Sequence, residues 1–167
     1  VLEAISGVPF PRGTGLVTRC ATQLIMSRAP PGAAWTASAC VEPSDGEPSI
    51  KLEKAEDVAD VIERLTAKLC EREGGAFSTT AAVVIKLRSP DVPDLTLLDL
   101  PGIVRTAVAG QSQSVIGDVN SLIETYLKQE RTVVLAVIPA NQDVATIDIL
   151  QKAKGADPEG MRTIAVL

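Results

Sequence analysis

The sequence has 167 residues, the length of one domain, and its 46% hydrophobic and 22% charged composition is typical of an ordinary globular protein. Its 21 acidic and 16 basic residues give a formal net charge of −5, which argues against a non-specific nucleic-acid-binding protein. Histidine is absent, so these residues can form no Ser-His-Asp triad, Cys-His dyad or His-ligated zinc site. Catalysis would have to use carboxylates, hydroxyls, backbone amides and bound ions.

The cysteines and the apolar runs exclude two further classes of protein. Cys20, Cys40 and Cys70 are far apart and have no C-x-x-C spacing, so we expect reduced thiols and neither a zinc site nor a disulfide framework. The longest apolar run, 133–138, has only the length of a strand. The sequence therefore predicts no transmembrane helix.

The first part of the chain predicts short strands and one long helix. The opening residues are typical of a helix that stops at Gly7. Strands are predicted over 22–28 and 49–52, and the Pro- and Gly-rich segment 29–48 between them is expected to be a surface excursion with at most one edge strand. Apolar residues at helical spacing then predict a helix over 58–73.

The remaining elements predict an α/β fold. Alternation predicts a half-buried strand over 80–88, and the short link after it predicts a hairpin into a strand over 95–98. Further helices are predicted over 115–127 and 143–154, the second ending at Gly155, and further strands over 132–138 and 163–167. The continuous apolar character of 132–138 is typical of a strand buried on both faces of a parallel sheet. We therefore expect a mostly parallel sheet with helices on both faces.

Asp99 is the strongest candidate ligand, because ligands of open α/β sheets bind at the carboxyl ends of strands. It follows a predicted strand and opens the string D-L-P-G, which ends at Gly102. Such a carboxylate can hold magnesium, usually through water, and a glycine N–H can bond a terminal phosphate. The same D-x-x-G pattern recurs from Asp157 to Gly160, where it follows a helix end and predicts only a turn.

The loop 10–19 is the second candidate. Its glycines, Gly13 and Gly15, can bring the backbone close to a ligand, and the Thr18 hydroxyl can bind magnesium. The spacing alone leaves open a plain turn between a helix and a strand.

Together, FPRGTGLVTRC at 10–20 and PDLTLLDLPGI at 93–103 resemble the dynamin superfamily of large GTPases, and the resemblance extends over essentially the whole chain. DVPDLTLLDLPGI and DPEGMRTI are most similar to the Mx, or interferon-induced GTP-binding, group, while classical dynamins and plant or fungal relatives stay open. The resemblance implies a P-loop-NTPase-like GTPase fold. Since the family's G-x-x-x-x-G-K-S and T-K-x-D motifs do not occur in the sequence, we expect 1–167 to be an interior piece of a G domain, incomplete at both ends.

The resemblance also implies roles for the candidate residues. Thr18 would bind magnesium through its hydroxyl and help to orient the attacking water through its backbone. Asp99 would hold the same ion through water, and Gly102 would contact the γ-phosphate. Thr14 would join Asp99 and Gly102 among the residues that contact the nucleotide.

Further expectations follow from the family. The carbonyls of Gly13 and Gly15 would bind a monovalent cation, Na⁺ or K⁺, that does the work of an arginine finger. The substrate would be GTP and the product GDP, with Mg²⁺ as cofactor. The parent protein would self-assemble through its G domain and a stalk that this chain lacks, and would act in the cytoplasm, free or peripheral on membranes, on a membrane, microtubule or viral target.

Two alternatives to a GTPase stay open. The first is a non-catalytic pseudo-GTPase or assembly module with the same fold. The second, a carboxylate hydrolase that uses Asp99, lacks a paired acid at suitable spacing. We also expect the chain by itself to bind GTP weakly and not to hydrolyse it measurably, since the family's main phosphate-binding loop would be missing. We expect it to be poorly folded in isolation, since the strand that leads into that loop would be missing and would leave unpaired strand edges.

Overall fold

The computed structural model describes residues 1–13, 17–44, 46–102, 114–138 and 148–166. The chain divides into two units, Val1–Gly102 and Ile103–Leu167, called here the first and second unit. The elements of the first unit are α1 (Leu2–Ser6), β1 (Ala21–Arg28), β2 (Thr36–Glu42), β3 (Ile50–Leu52), α2 (Asp57–Arg72), β4 (Ala82–Ser89) and β5 (Leu95–Asp99). Those of the second unit are α3 (Ser114–Leu127), β6 (Val134–Val137), α4 (Asp148–Ala156) and β7 (Thr163–Val166).

Helix α1 ends where the sequence predicts, and α2 begins and ends within one residue of its predicted bounds. Gly7 ends α1 with a left-handed φ of 69°, and its N–H donates to the Glu3 carbonyl at 2.8 Å. The long helix α2 is amphipathic, and Gly74, with a φ of 64°, follows it. Its inward face joins the hydrophobic core of the unit with Val58, Val61, Ile62, Leu65 and Leu69.

The first unit contains a five-stranded sheet in the order β3-β2-β4-β1-β5. Only β1 and β4 pair in parallel, whereas β2 is antiparallel to β3 and to β4, and β5 is antiparallel to β1. The α/β class is confirmed, but the expectation of a mostly parallel sheet is wrong for this unit. The strand expected near 36–41 is present as β2, but its expected edge position is wrong, because β2 lies inside the sheet between β3 and β4. Helices on both faces of the sheet stay a prediction.

The predicted hairpin between β4 and β5 is wrong because β1 lies between them. The link after β4 passes the end of β1 and is fixed there by Arg28, which donates from its backbone N–H to Asp94 at 2.8 Å and from Nε to the Val92 carbonyl at 3.1 Å. In the resulting register Thr22 lies opposite Asp99. The carboxyl end of β5 is thereby placed beside the start of β1.

In the second unit, β6 and β7 form a parallel pair, as alternating strands and helices predict. The expectation that 132–138 is buried on both faces is wrong, since the side chains of Val133 and Val137 are 57% and 53% exposed. Helix α4 continues through Gly155 to Ala156, so Gly155 is not its stop. The predicted start of that helix, 143–147, lies outside the described residues.

Arg162 links three segments of the second unit. Its guanidinium donates to the carbonyls of Thr132 at 3.0 Å, Leu127 at 2.6 Å and Ala156 at 2.9 Å. Because a planar guanidinium can serve several acceptors at once, this side chain ties the end of α3, the approach to β6 and the end of α4 together.

Two predictions about chemistry outside the site can be compared with the structure. Cys20, Cys40 and Cys70 are free, as expected, and burial raises the pKa of the Cys20 and Cys70 thiols. No helix within the described ranges has both the length and the apolar character needed to cross a bilayer.

Candidate active site

Thr18 and Asp99 meet in the structure. Thr18 lies just before β1 and Asp99 is the last residue of β5. The Thr18 hydroxyl donates a hydrogen bond to Asp99 Oδ2 at 2.8 Å, although 81 residues separate them. The antiparallel pairing of β1 with β5 accounts for this contact, because it brings the end of one strand to the beginning of the other. The two residues that the sequence analysis selected as magnesium ligands are therefore neighbours.

The surroundings of Asp99 hold its carboxylate in a partly buried position. Burial raises the pKa of Asp99 above its usual value, while the hydrogen bonds from the Thr18 hydroxyl and the Leu100 N–H act in the opposite direction. A hydroxyl and a carboxylate oxygen at this separation are hard oxygen donors of the kind that Mg²⁺ prefers. The donor set therefore fits magnesium. Among the residues that the structure describes, no three His, Cys, Asp or Glu side chains form a metal-binding cluster.

A cavity of about 330 Å³ opens beside this pair, between the loop before β1 and helix α2. Thr18 and Asp99 line it together with the charged residues Arg12, Arg19 and Glu63. Its volume lies at the lower end of the range of small-molecule sites, which is about 300 to 1,000 Å³. The pair thus borders a cavity that is lined by both positively and negatively charged side chains.

The candidate glycines differ in what surrounds them. A Cβ built at Gly102 would meet no atom of the described residues within 4 Å. A Cβ at Gly13 would lie 3.2 Å from the Cγ2 atom of Val17, which is a tight contact. Thr14 and Gly15 lie outside the described residues, and their predicted roles stay predictions.

Glu3, which was not predicted as a site residue, holds the beginning of the loop. Glu3 Oε1 accepts hydrogen bonds from the Phe10 N–H at 2.8 Å and from Arg12 Nε at 3.1 Å, and its other oxygen pairs with the Arg12 guanidinium. The Arg12 guanidinium first, and then the Phe10 N–H, lower the pKa of Glu3 to about 2. The only sequence signal is an acid on the helix and an arginine nine residues later, which is too common to single out.

Asp157 is bound by groups of its own turn, and the turn predicted at this position is present. Its oxygens accept the backbone N–H groups of Met161 at 3.0 Å and Arg162 at 2.9 Å, and the Thr163 hydroxyl at 2.7 Å. The Arg162 N–H, followed by the Thr163 hydroxyl, lowers the pKa of Asp157 below its usual value. This carboxylate stabilises the entry into β7.

Comparison with known proteins gives the same family throughout. A family model described as "Dynamin family" matches residues 1–167. The "Interferon-induced GTP-binding protein Mx" of Perca fluviatilis is 40% identical over 168 residues, which cover 100% of this chain and 54% of that protein. "Interferon-induced GTP-binding protein Mx3" of Oncorhynchus mykiss is 41% identical over 168 residues, and "MxA" of Danio rerio 39% over 170 residues, with 26% and 25% of their own lengths covered. The chain thus spans between a quarter and about half of these relatives.

Proposed function

Since the chain belongs to the dynamin family, we propose that the protein that carries it binds GTP and hydrolyses it to GDP. The observation that carries the proposal is the hydrogen bond between Thr18 and Asp99, which brings together two oxygen ligands suited to magnesium. The names of the relatives describe those proteins as GTP-binding. They do not favour the alternative of a non-catalytic module.

In this proposal the Thr18 hydroxyl and the Asp99 carboxylate would hold Mg²⁺. When bound, Mg²⁺ supplies the positive charge that stabilises the negative charge developing on the phosphate oxygens. Gly102 donates its N–H to the terminal phosphate, and no described residue lies within 4 Å of the place that a side chain would take there. The backbone of Thr18 orients the attacking water. Phosphoryl transfer depends on positioning and electrostatic stabilisation, so the lack of histidine is no obstacle.

Several finer assignments belong to the same proposal and are supported by the family resemblance. The carbonyls of Gly13 and Gly15 bind a monovalent cation, and the side chain of Thr14 contacts the nucleotide. The whole protein self-assembles and acts in the cytoplasm, free or peripheral on a membrane. A comparison of turnover in potassium, sodium and N-methylglucamine chloride tests the cation assignment, which requires turnover to fall in the bulky organic cation.

The proposal is tested by Thr18→Ala in the full-length protein. Removal of one group that stabilises a transition state lowers turnover by about 10²- to 10³-fold in well-studied enzymes. We expect kcat for GTP to fall by about 100-fold, whereas the Kd for GTP changes by less than about threefold.

Thr125→Ala is a matched control, because the Thr125 hydroxyl donates to the Ser121 carbonyl at 2.8 Å within helix α3. It should leave kcat and Kd near those of the unaltered protein. Equal losses of binding and turnover in Thr18→Ala would contradict the assigned role. Absence of GTP hydrolysis by the unaltered full-length protein would refute the proposed function itself.

A further inference from the structure

We propose that Glu3 is a positioning residue for GTP hydrolysis, which holds the loop that leads to Gly13 through the Phe10 N–H and the Arg12 guanidinium. The inference rests on the proposed function and adds to it a residue outside the motifs of the loop and of β5. Glu3 itself contacts neither nucleotide nor metal in this account. It acts through the backbone of residues 10–13.

The contacts of Glu3 reach the loop at two separate points. Its Oε1 accepts the Phe10 N–H at 2.8 Å and Arg12 Nε at 3.1 Å, and its second oxygen pairs with the same guanidinium. The side chain of Glu3 is 26% exposed and that of Arg12 82% exposed. The carboxylate is therefore the sheltered, fixed partner, and the arginine is held against it. Its pKa of about 2 agrees with strong bonding of the ionised form.

The backbone around Glu3, from helix α1 to Val8, is held by further hydrogen bonds and by the core. The Glu3 carbonyl accepts the Gly7 N–H at 2.8 Å, and the Ser6 hydroxyl accepts the Val8 N–H at 3.2 Å. Val8 is only 3% exposed and belongs to the core of the first unit. The backbone from which the Glu3 side chain extends is therefore held by the end of helix α1 and by the core.

The position of these contacts links Glu3 to the candidate site. Phe10 and Arg12 flank Pro11, whose ring restricts the backbone between the two attached points. Gly13 follows directly, and at the far side of the loop Thr18 is attached to Asp99. Glu3 thus holds Phe10 and Arg12 at the beginning of the loop, and Asp99 binds Thr18 at its end. Misplacement of a catalytic segment by about 1 Å can cost about 100-fold in rate, even when the altered residue is distant from the chemistry.

A purely structural ion pair makes a different prediction. Exposed pairs contribute little to stability, so loss of a merely structural pair would leave turnover unchanged. The matched control is the exposed pair between Lys86 and Glu42, whose Nζ and Oε1 atoms are 3.1 Å apart on the sheet of the same unit. Glu42→Gln removes that charge without touching the loop.

The experiment uses full-length Glu3→Gln, Arg12→Gln and the double variant, with Glu42→Gln as control. Glu3→Gln retains an oxygen for the Phe10 N–H and removes the charge that holds Arg12. We expect kcat to fall about tenfold in each single variant, and the Kd for GTP to change by less than about twofold. The double variant should be within about twofold of the worse single variant, because both substitutions break one contact. Glu3→Asp should recover part of the activity, and Glu42→Gln should have the turnover of the unaltered protein.

A second measurement does not depend on activity. Trypsin cleaves after arginine, and in Glu3→Gln the released Arg12 should be cut several-fold faster at the bond before Gly13, with products identified by mass spectrometry. Unchanged kcat in Glu3→Gln, or additive losses in the double variant, would overturn the inference. If the unaltered protein hydrolyses no GTP, the proposed function fails. The trypsin measurement still tests the contact between Glu3 and the loop, because equal cleavage rates in Glu3→Gln and Glu42→Gln would show that Glu3 does not hold Arg12.

Discussion

Asp99 to Gly102 in the first unit and Asp157 to Gly160 in the second have the same D-x-x-G spacing but different partners. Asp99 accepts the hydroxyl of Thr18, which lies 81 residues away and borders a cavity. Among the residues that the structure describes, the partners of Asp157 all lie four to six residues further along its own chain. A carboxylate whose oxygens are occupied by its own turn serves the fold, whereas one that meets a distant hydroxyl beside a cavity is suited to bind a ligand.

The glycines that end the two D-x-x-G motifs, Gly102 and Gly160, differ in backbone conformation. Gly160 has a left-handed φ of 67°, a conformation that L side chains rarely adopt, so the turn itself requires glycine. Gly102 has no such backbone requirement, and a Cβ there would meet no atom of the described residues within 4 Å. Within the described part of the chain, neither backbone conformation nor packing therefore requires glycine at this position.

The largest effect that distinguishes the two strings is expected from the aspartates. In the full-length protein, Asp99→Asn should lower kcat for GTP by about 100-fold or more, because it removes the charge that in the proposed function would hold magnesium. Asp157→Asn should lower the melting temperature, since an amide replaces an acceptor oxygen in a turn that presents only donors, and should leave kcat per folded molecule near normal. Turnover assays and circular-dichroism melts measure both. Similar losses of kcat in the two variants would contradict the assignment of Asp99 to catalysis and of Asp157 to the fold.

A smaller effect is expected from the glycines. Gly102→Ala should change stability by less than about 0.5 kcal/mol but lower kcat about tenfold, as its methyl group enters the approach to the terminal phosphate. Gly160→Ala should destabilise the protein by about 1 to 2 kcal/mol through left-handed strain, with kcat retained. Denaturant unfolding and turnover assays check this pair. A destabilised Gly102→Ala with normal turnover would show that Gly102 serves the fold.

The smallest effect is the order in which the two carboxylates titrate. Without magnesium, Asp157 should titrate below the usual 3.8 and Asp99 above it, as followed by NMR of ¹³C-labelled aspartate carboxyls. The lowered pKa of Asp157 means that its contribution to stability is present above pH 3.8 and is lost as the pH falls through its native pKa. The raised pKa of Asp99 has the opposite sign, and its contribution is lost as the pH rises through that pKa. The reverse order of midpoints would contradict the geometry.

Local signals account for the elements that sequence analysis placed correctly. The apolar spacing along α2 reports which face is buried, and the left-handed glycines at 7 and 74 mark helix ends. Strand pairing depends on contacts that are distant in sequence. The hairpin prediction failed because the link between β4 and β5 passes the end of β1, where Arg28 binds it. Nothing in the sequence of the link indicates that contact.

Some residues of the candidate site could likewise be predicted from the sequence, and others could not. Thr18 and Asp99 could be selected from the sequence because each lies in a distinctive string, and the structure adds that they bond to each other. Glu3 could not be selected, since its role depends on how helix α1 faces the loop after Gly7. Likewise the exposure of Val133 and Val137 could not be read from an apolar run, because hydropathy does not reveal how many neighbours a strand has.

The central claim is that Thr18 and Asp99 act as one magnesium pair in GTP hydrolysis. The most direct test measures kcat against Mg²⁺ concentration for Thr18→Ala, Asp99→Asn and the double variant of the full-length protein. Both single variants should need more Mg²⁺ for half-maximal turnover, and the double variant should lose little more than the worse single one, because both residues hold the same ion. Unchanged Mg²⁺ dependence in the single variants, or fully additive losses in the double variant, would contradict the claim.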